Sequence, residues 1–412
     1  MAQIGRTTGQ AEQNMQHFMS NSPWSGRAVI NALQEDIGDH PAFAKSVLVI
    51  DESADEKKGE QSAGAGRQRN GRLGKVDMCQ VGVFATLATP EAHCWVDGEL
   101  YIPAKWFQQK HKKKRQKIGI PEERQFETKI ELAEKLILRC RDEGGLLFEA
   151  VDMDALYGRS FALRQKLQQE SIEYYGDVPE NTIVYLERPI VHGLKKNGQP
   201  AKTPTVIGRR WQVNHLLDHP KAESAHLRLR PAERGYIEDR FIRLPVWTEK
   251  EGVLLREWLL IRHSAQKTTY TLSNAPTDSL LETMAQRKSC RYFIERDNQD
   301  SKSEFGWSEF QATKYLAWQH QLALTIMASW FVTQTRLDWA ARHPKDEKLC
   351  DEFETDALPS LSVSNVRELL RAAMPLPQLN TQQATALVVK HLKNRTRSRA
   401  SRLRSAALGT PM

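Results

Sequence analysis

The apolar positions of the chain change period several times, and each change marks an element. Val47, Leu48, Val49 and Ile50 are an unbroken aliphatic run that predicts a strand covered on both faces and ending on an acid, Asp51. A polar stretch rich in Gly follows through Lys57, Gly64, Gly66, Gly71 and Gly74. Val76 to Thr86 then predicts a second strand, and Glu91 to Ile102 a third, folded about a turn at Asp97-Gly98. Short connections make these three an antiparallel meander. Between Phe126 and Arg141 the period lengthens: Ile130, Ala133, Ile137 and Cys140 predict an amphipathic helix, stopped by Gly144 and Gly145. Leu146 to Val151 predicts a fourth strand that runs into Asp152, Met153 and Asp154, and a helix follows from Tyr157 to Gln169. A helix between strands of one sheet predicts parallel pairing there.

The texture shifts at Ser171. Seven prolines between Pro179 and Pro245 separate short β-leaning runs, which predict a β-rich insertion whose last hairpin spans Leu255 to Leu272. From Pro276 helices return. One, capped by Asp278, carries Leu281, Met284, Phe293 and Ile294, and an apolar helix runs from Ala317 to Val332. The succession predicts a short helical N-terminal region (1–44), a mixed α/β core in two parts (45–176 and 276–345) around a β-rich insertion (177–275), and a helical, basic tail (346–412).

Composition narrows the partners. The 412 residues are 40% hydrophobic and 27% charged, which permits a sizeable core. The net charge of +8 favours a polyanionic partner. Five widely spaced cysteines without a C-x-x-C predict reduced thiols, no structural zinc and a cytosolic setting. No apolar run is long enough to span a membrane, and no leader-like segment opens the chain. The charge is concentrated in two places. Lys105, Lys110, Lys112, Lys113, Lys114, Arg115 and Lys117 fall without an acid until Glu122, with Trp106 and Phe107 among them. The tail places Lys390, Lys393, Arg395, Arg397, Arg399, Arg402 and Arg404 after its last acid, Glu368. Cations interleaved with aromatic rings suit a phosphate backbone, as does an acid-free cationic end.

Two acids stand at predicted strand ends, Asp51 and one of Asp152 and Asp154, where carboxylates can hold a divalent cation over a phosphate. On the later helix Arg291, Glu295, Asn298 and Lys302 recur at i, i+4, i+7 and i+11, one stripe with a third carboxylate between cations. A solvated face with an ion pair has the same pattern. Trp307 and Trp318 suit core packing better than base stacking.

In order along the chain, VLVIDES, KKGEQSAGAGRQRNGRLGKVDMCQVGVF, ELYIPAKW, GIPEERQFETK, VDMDALYG, RYFIERDNQDSKSEFGW and YLAWQHQLAL resemble the motifs of DDE transposases of bacterial insertion sequences. The resemblance implies an RNase H-like fold, a mixed sheet flanked by helices, with the β-rich insertion before the last acid. It implies Asp51, Asp154 and Glu295 as catalytic, metal-binding residues, Asp154 being chosen over Asp152 because a Tyr-Gly pair, Tyr157-Gly158, follows it. It further implies Mg2+, or Mn2+ in its place, as cofactor, double-stranded DNA of transposon ends and target as partner, a homodimer on DNA, and a cytoplasmic, nucleoid-associated enzyme that cleaves and joins strands. Arg291 and Lys302 match the cations of a Tyr-Arg-Glu-Lys signature, and Lys112, Lys113, Lys114, Arg115, Arg397 and Arg399 are the further DNA-binding candidates. The chain departs from the pattern at Lys288, where the signature has Tyr, and at Gln319-His320, where an Arg-His pair is usual.

Overall fold

The computed structural model describes residues 11–194, 200–232, 235–343 and 361–373, with isolated positions between 380 and 389. Residues 24–363 form one compact unit, while residues 1–23 and 364–412 form another that includes helix α1 (Glu12–Ser20). Arg397 and Arg399 lie outside the described residues.

The larger unit opens with α2 (Gly26–Gly38), whose first turn is capped by the Ser25 hydroxyl accepting from the Ala28 amide. Strands β1 (Val47–Glu56), β2 (Gly66–Asn70), β3 (Lys75–Ala88) and β4 (His93–Tyr101) follow. β1 does not stop at Asp51 but runs on to Glu56, because β3 is long enough to pair with all of it, from Val47 opposite Ala88 to Glu56 opposite Cys79. The Gly-rich stretch is no mere turn either: residues 66–70 pair with the start of β3. The turn expected at Asp97-Gly98 is absent, and β4 passes straight through it. Asp97 is fully buried there, gripped by both Nη atoms of Arg27 at 2.8 Å and by Arg139 Nε at 2.8 Å. Gly98 packs so closely on the Phe84 ring that a Cβ would come within 2.8 Å of it. A turn signature was thus two residues selected for burial.

Next come α3 (Lys112–Ile118), α4 (Lys129–Asp142), β5 (Ala150–Met153), α5 (Ala155–Gly158), α6 (Phe161–Gln169) and β6 (Tyr174–Val178). Thr128 and Glu131 form a capping box that starts α4. Because β1 pairs with β3 antiparallel and with β5 parallel, and β5 with β6 parallel, the core order is β4-β3-β1-β5-β6. This is the RNase H-like arrangement. Along β1, Leu48 and Ile50 point to the face covered by α4 and α6, while Val47 and Val49 point to the opposite face.

The insertion contributes β7 (Ile183–Tyr185), β8 (Ile190–Leu194), β9 (Pro200–Ile207), β10 (Arg210–Gln212), β11 (Glu223–Ala232), β12 (Gly235–Lys250), β13 (Val253–His263) and β14 (Thr268–Ser273). β14 pairs with β6, so apart from β8 and β9 these strands prolong the core sheet to twelve. A buried network seals the seam: Glu257 of β13 accepts from Arg164 at 2.8 Å and Tyr174 at 2.7 Å, and bonds Thr248.

The chain then forms α7 (Leu281–Ser289), α8 (Arg291–Ser303), α9 (Tyr315–Arg342) and, past the end of the larger unit, most of α10 (Val363–Ala373). The single helix expected from Asp278 is broken at Cys290, and Leu280 rather than Asp278 occupies the cap of α7. Trp307 and Trp318 are buried beside Phe84 and Trp95, which stack at 4.2 Å. Among the described residues no helix is long and apolar enough to cross a membrane.

Candidate active site

Strand alternation places the first acid. Val47 and Val49 pack under Cys290, Phe293 and Ile294 at the start of α8, and Asp51, two residues on, projects from the same face beyond that apolar contact. The parallel register sets Val49 against Asp152 and Ile50 against Met153, so Asp154 lies beside Asp51 at the mouth of the sheet. There Asp154 caps α5, with Oδ1 accepting from the Leu156 amide at 2.8 Å and the Tyr157 amide at 3.4 Å. Gly158 explains how α5 fits: a Cβ on it would lie 2.3 Å from the Asp177 carbonyl, and Gly176 faces it on β6. Only bare backbone on both sides lets this turn, and with it Asp154, sit so close to the sheet. Glu295 approaches from one turn along α8. Asp51, Asp154 and Glu295 line a single cleft of about 1120 Å³ with Glu52, Asp55, Arg69, Asn298 and Lys302.

Charge in this cleft is poorly compensated. Burial pushes the Asp51 carboxyl up to about 7; Arg291 acts against that and Asp154 and Glu52 with it. The Asp154 carboxyl is likewise raised by burial, with Arg291 opposing. Arg291 is the cation at hand, with Nη2 3.7 Å from Asp51 Oδ2 and Nη1 3.4 Å from Glu295 Oε1. It therefore stands between the first and third acids. Among the described residues no three His, Cys, Asp or Glu side chains are gathered closely enough to hold a metal ion. The donor set itself is all carboxylate oxygen, the chemistry that hard divalent cations take, and its raised acids are those a bound cation would return to the ionised form.

Asp152 has a different fate from its neighbour. It is fully buried on β5, 2.6 Å from Lys288 Nζ, which also lies 2.9 Å from Asp177. Lys288, standing where the signature has Tyr, thus pins the α7–α8 junction to β5 and β6. Lys302 reaches the strand opposite: it donates to the Ala54 carbonyl at 2.8 Å and lies 3.9 Å from Asp55, which also receives the Trp307 indole N–H.

The basic segment divides. Lys112 and Lys113 are exposed on α3. Lys114 lies over the Trp106 ring at 4.1 Å, and Arg115 donates to the Trp106 and Gln108 carbonyls, so both are turned back on their own loop. The sequence reading missed Arg69 and Glu52 as cleft residues. The alternation Arg67-Gln68-Arg69-Asn70 was the available signal for a strand, hidden by the surrounding glycines. Glu52 is tied to Lys129 at 2.9 Å and to the Tyr157 hydroxyl at 3.0 Å, bracing the strand that carries Asp51.

A family model described as "DDE superfamily endonuclease" matches residues 1–231, more than half of the chain. The chain belongs to the DDE superfamily endonucleases. The match takes in Asp51 and Asp154. A probable transposase for insertion sequence element IS701 from Microchaete diplosiphon is 25% identical over 317 residues, which is 74% of this chain and 70% of that relative. The DDE endonuclease fold, the acid-lined cleft and this relative agree on a transposition-related nuclease.

Proposed function

We propose that this DDE endonuclease cleaves DNA at the ends of an insertion sequence and joins the freed ends to target DNA, with Asp51, Asp154 and Glu295 as its catalytic acids. The observation that carries the reading is that these three residues, 103 and 141 positions apart in sequence, line one cleft while Asp152 is drawn into an internal ion pair. They would hold divalent cations, Mg2+ or Mn2+, which when bound supply an activated water or 3′-OH and a stabilised leaving oxygen.

The chain's own residues prepare that chemistry. The Asp154 cap and the Glu52 amide, which donates to Asp51 Oδ1 at 2.8 Å, each occupy one oxygen and leave the other for a ligand. Arg291 neutralises the acids at rest and is placed to meet a DNA phosphate beside Glu295 once a cation takes over that task. Lys302, anchored to the edge of β1, extends the cationic lip. The exposed Lys112 and Lys113, with the tail arginines Arg397 and Arg399, supply duplex contacts, and two chains acting together would bridge two ends.

Changing Asp51→Asn or Glu295→Gln is expected to lower Mg2+-dependent nicking of a DNA end by on the order of 10³-fold, because each removes charge from the acid set that must hold the cations. Cleavage at the wild-type rate in either variant contradicts the assignment. A non-catalytic DNA-binding derivative is the second reading, favoured by Arg291 between Asp51 and Glu295, and any wild-type nicking that requires Mg2+ excludes it.

A further inference from the structure

The β2–β3 hairpin carries a surface that the acid set does not use. Arg67 and Arg69 alternate along β2 and are exposed on one face, while Gln68 between them turns the other way and donates to the Gly64 carbonyl at 3.1 Å and the Cys79 carbonyl at 2.9 Å. Across the ladder Arg67 faces Met78 and Arg69 faces Val76. Val76 is 54% exposed and Leu73, in the connecting turn, 39%. No ion pair holds Arg67 or Arg69 among the described residues, whereas Arg228, Arg240, Arg243 and Arg262 on the insertion strands are each paired with an acid. Two guanidinium groups without a direct acidic partner, Arg67 having only the more distant Asp77 carboxylate, and an exposed valine share one face of this hairpin.

Position gives this face a purpose. Arg69 lines the cleft that holds Asp51, Asp154 and Glu295. The other end of β2 is fastened to the basic segment: the Trp106 indole donates to the Ala65 carbonyl at 2.9 Å, and Gly66 lies so close to Lys105 that a Cβ would meet its Cε at 2.9 Å. Beyond Trp106 lies α3 with exposed Lys112, Lys113 and Lys117. The hairpin therefore connects the acid cleft to the cationic helix, although α3 begins 42 positions after the end of β2.

We propose that the Arg67–Arg69 face of this hairpin is a binding surface for the phosphate backbone of a DNA duplex, guiding it from the cleft toward α3. This rests on the nuclease reading above for the identity of the polyanion. Five residues of strand span roughly 17 Å, which matches about five base pairs at 3.4 Å each, so α3 meets the same duplex about half a helical turn from the cleft. Guanidinium groups on a strand suit this role because their forked donors meet phosphate oxygens in pairs, and exposed Val76 offers the sugar edge an apolar contact.

The test is binding of the full chain to a 30-base-pair duplex of arbitrary sequence, without divalent metal, across a range of salt concentrations. Arg67→Ala with Arg69→Ala removes two phosphate contacts, so the slope of log affinity against log salt falls by about 1.8, and affinity at 0.1 M salt falls roughly 60-fold. Arg67→Lys with Arg69→Lys restores most of the slope, since it keeps the charge. Lys112→Ala with Lys113→Ala lowers the slope again, additively, because those cations meet other phosphates. An alanine pair with wild-type slope and affinity overturns the proposal, as does a lysine pair no better than the alanine pair. Duplex binding by a wild type that shows no Mg2+-dependent cleavage of an insertion-sequence end would leave this surface standing and remove the nuclease; a wild type that binds no duplex overturns the proposal.

Discussion

Asp97 shows how much a single side chain can carry at the residue scale. Burial alone would raise its carboxyl, but Arg139 and Arg27 outweigh that and hold it below the ordinary carboxylate range. A carboxyl with a folded pKa below its unfolded one contributes stability that is complete above about 4 and is lost as pH falls through the folded value. The wild type should therefore lose unfolding free energy below about pH 4 more steeply than Asp97→Asn. At pH 7 the variant should be about 3 kcal/mol less stable, because two guanidinium groups lose a buried partner. Urea unfolding at pH 3 to 7 reads both quantities; parallel pH profiles would contradict the account. This residue was also the least legible in the sequence. Asp-Gly reads as a turn from local propensity, and nothing local reveals that Arg27 and Arg139, 70 and 42 positions away, close upon it. The place of Asp51 on β1 was easier to read, because the apolar run Val47 to Ile50 gives way there to charge.

At the scale of elements, the cleft depends on how closely α5 is laid on β6. Gly158 and Gly176 meet backbone to backbone, and Asp154 is the cap of the same short helix. Gly158→Ala must push α5 outward, at an expected cost of about 1 to 3 kcal/mol. It should also depress Mg2+-dependent nicking more than that loss of folded protein accounts for, when assayed at a temperature where the variant remains folded. Nicking in proportion to the folded fraction alone would show that Asp154 keeps its place without this contact. The Tyr157-Gly158 pair is legible in the sequence only through resemblance, and the physical reason for its glycine is this approach. The break at Cys290 between α7 and α8 was not legible, because the apolar spacing continues across it. What fixes the junction is Lys288 reaching Asp152 and Asp177, contacts 136 and 111 positions away in sequence.

At the scale of the molecule, the insertion is a continuation of the catalytic sheet and not an appendage. β14 pairs with β6 from Ser273 opposite Tyr175 to Tyr270 opposite Val178, and Glu257 binds Arg164 and Tyr174 across the seam. Core and insertion should accordingly unfold in one transition, and Glu257→Ala should lower the stability of both by about 3 kcal/mol or more, since it strands a buried guanidinium. Two separable transitions, or a protease-resistant fragment ending near residue 176, would contradict this. The sequence predicted the β-rich character of residues 177–275 from proline spacing and β-branched runs. It could not predict the merger, because pairing across a sheet edge leaves no periodic trace in either strand.

The central claim is that Asp51, Asp154 and Glu295 share bound cations. Iron(II) supplied in place of Mg2+, with ascorbate and peroxide, cuts polypeptide near whatever side chains bind it. The account predicts cuts near residues 51, 154 and 295 together, all suppressed by excess Mg2+ and all lost in Asp51→Asn. Cuts near only one or two of these positions, or a pattern unchanged in Asp51→Asn, would contradict it.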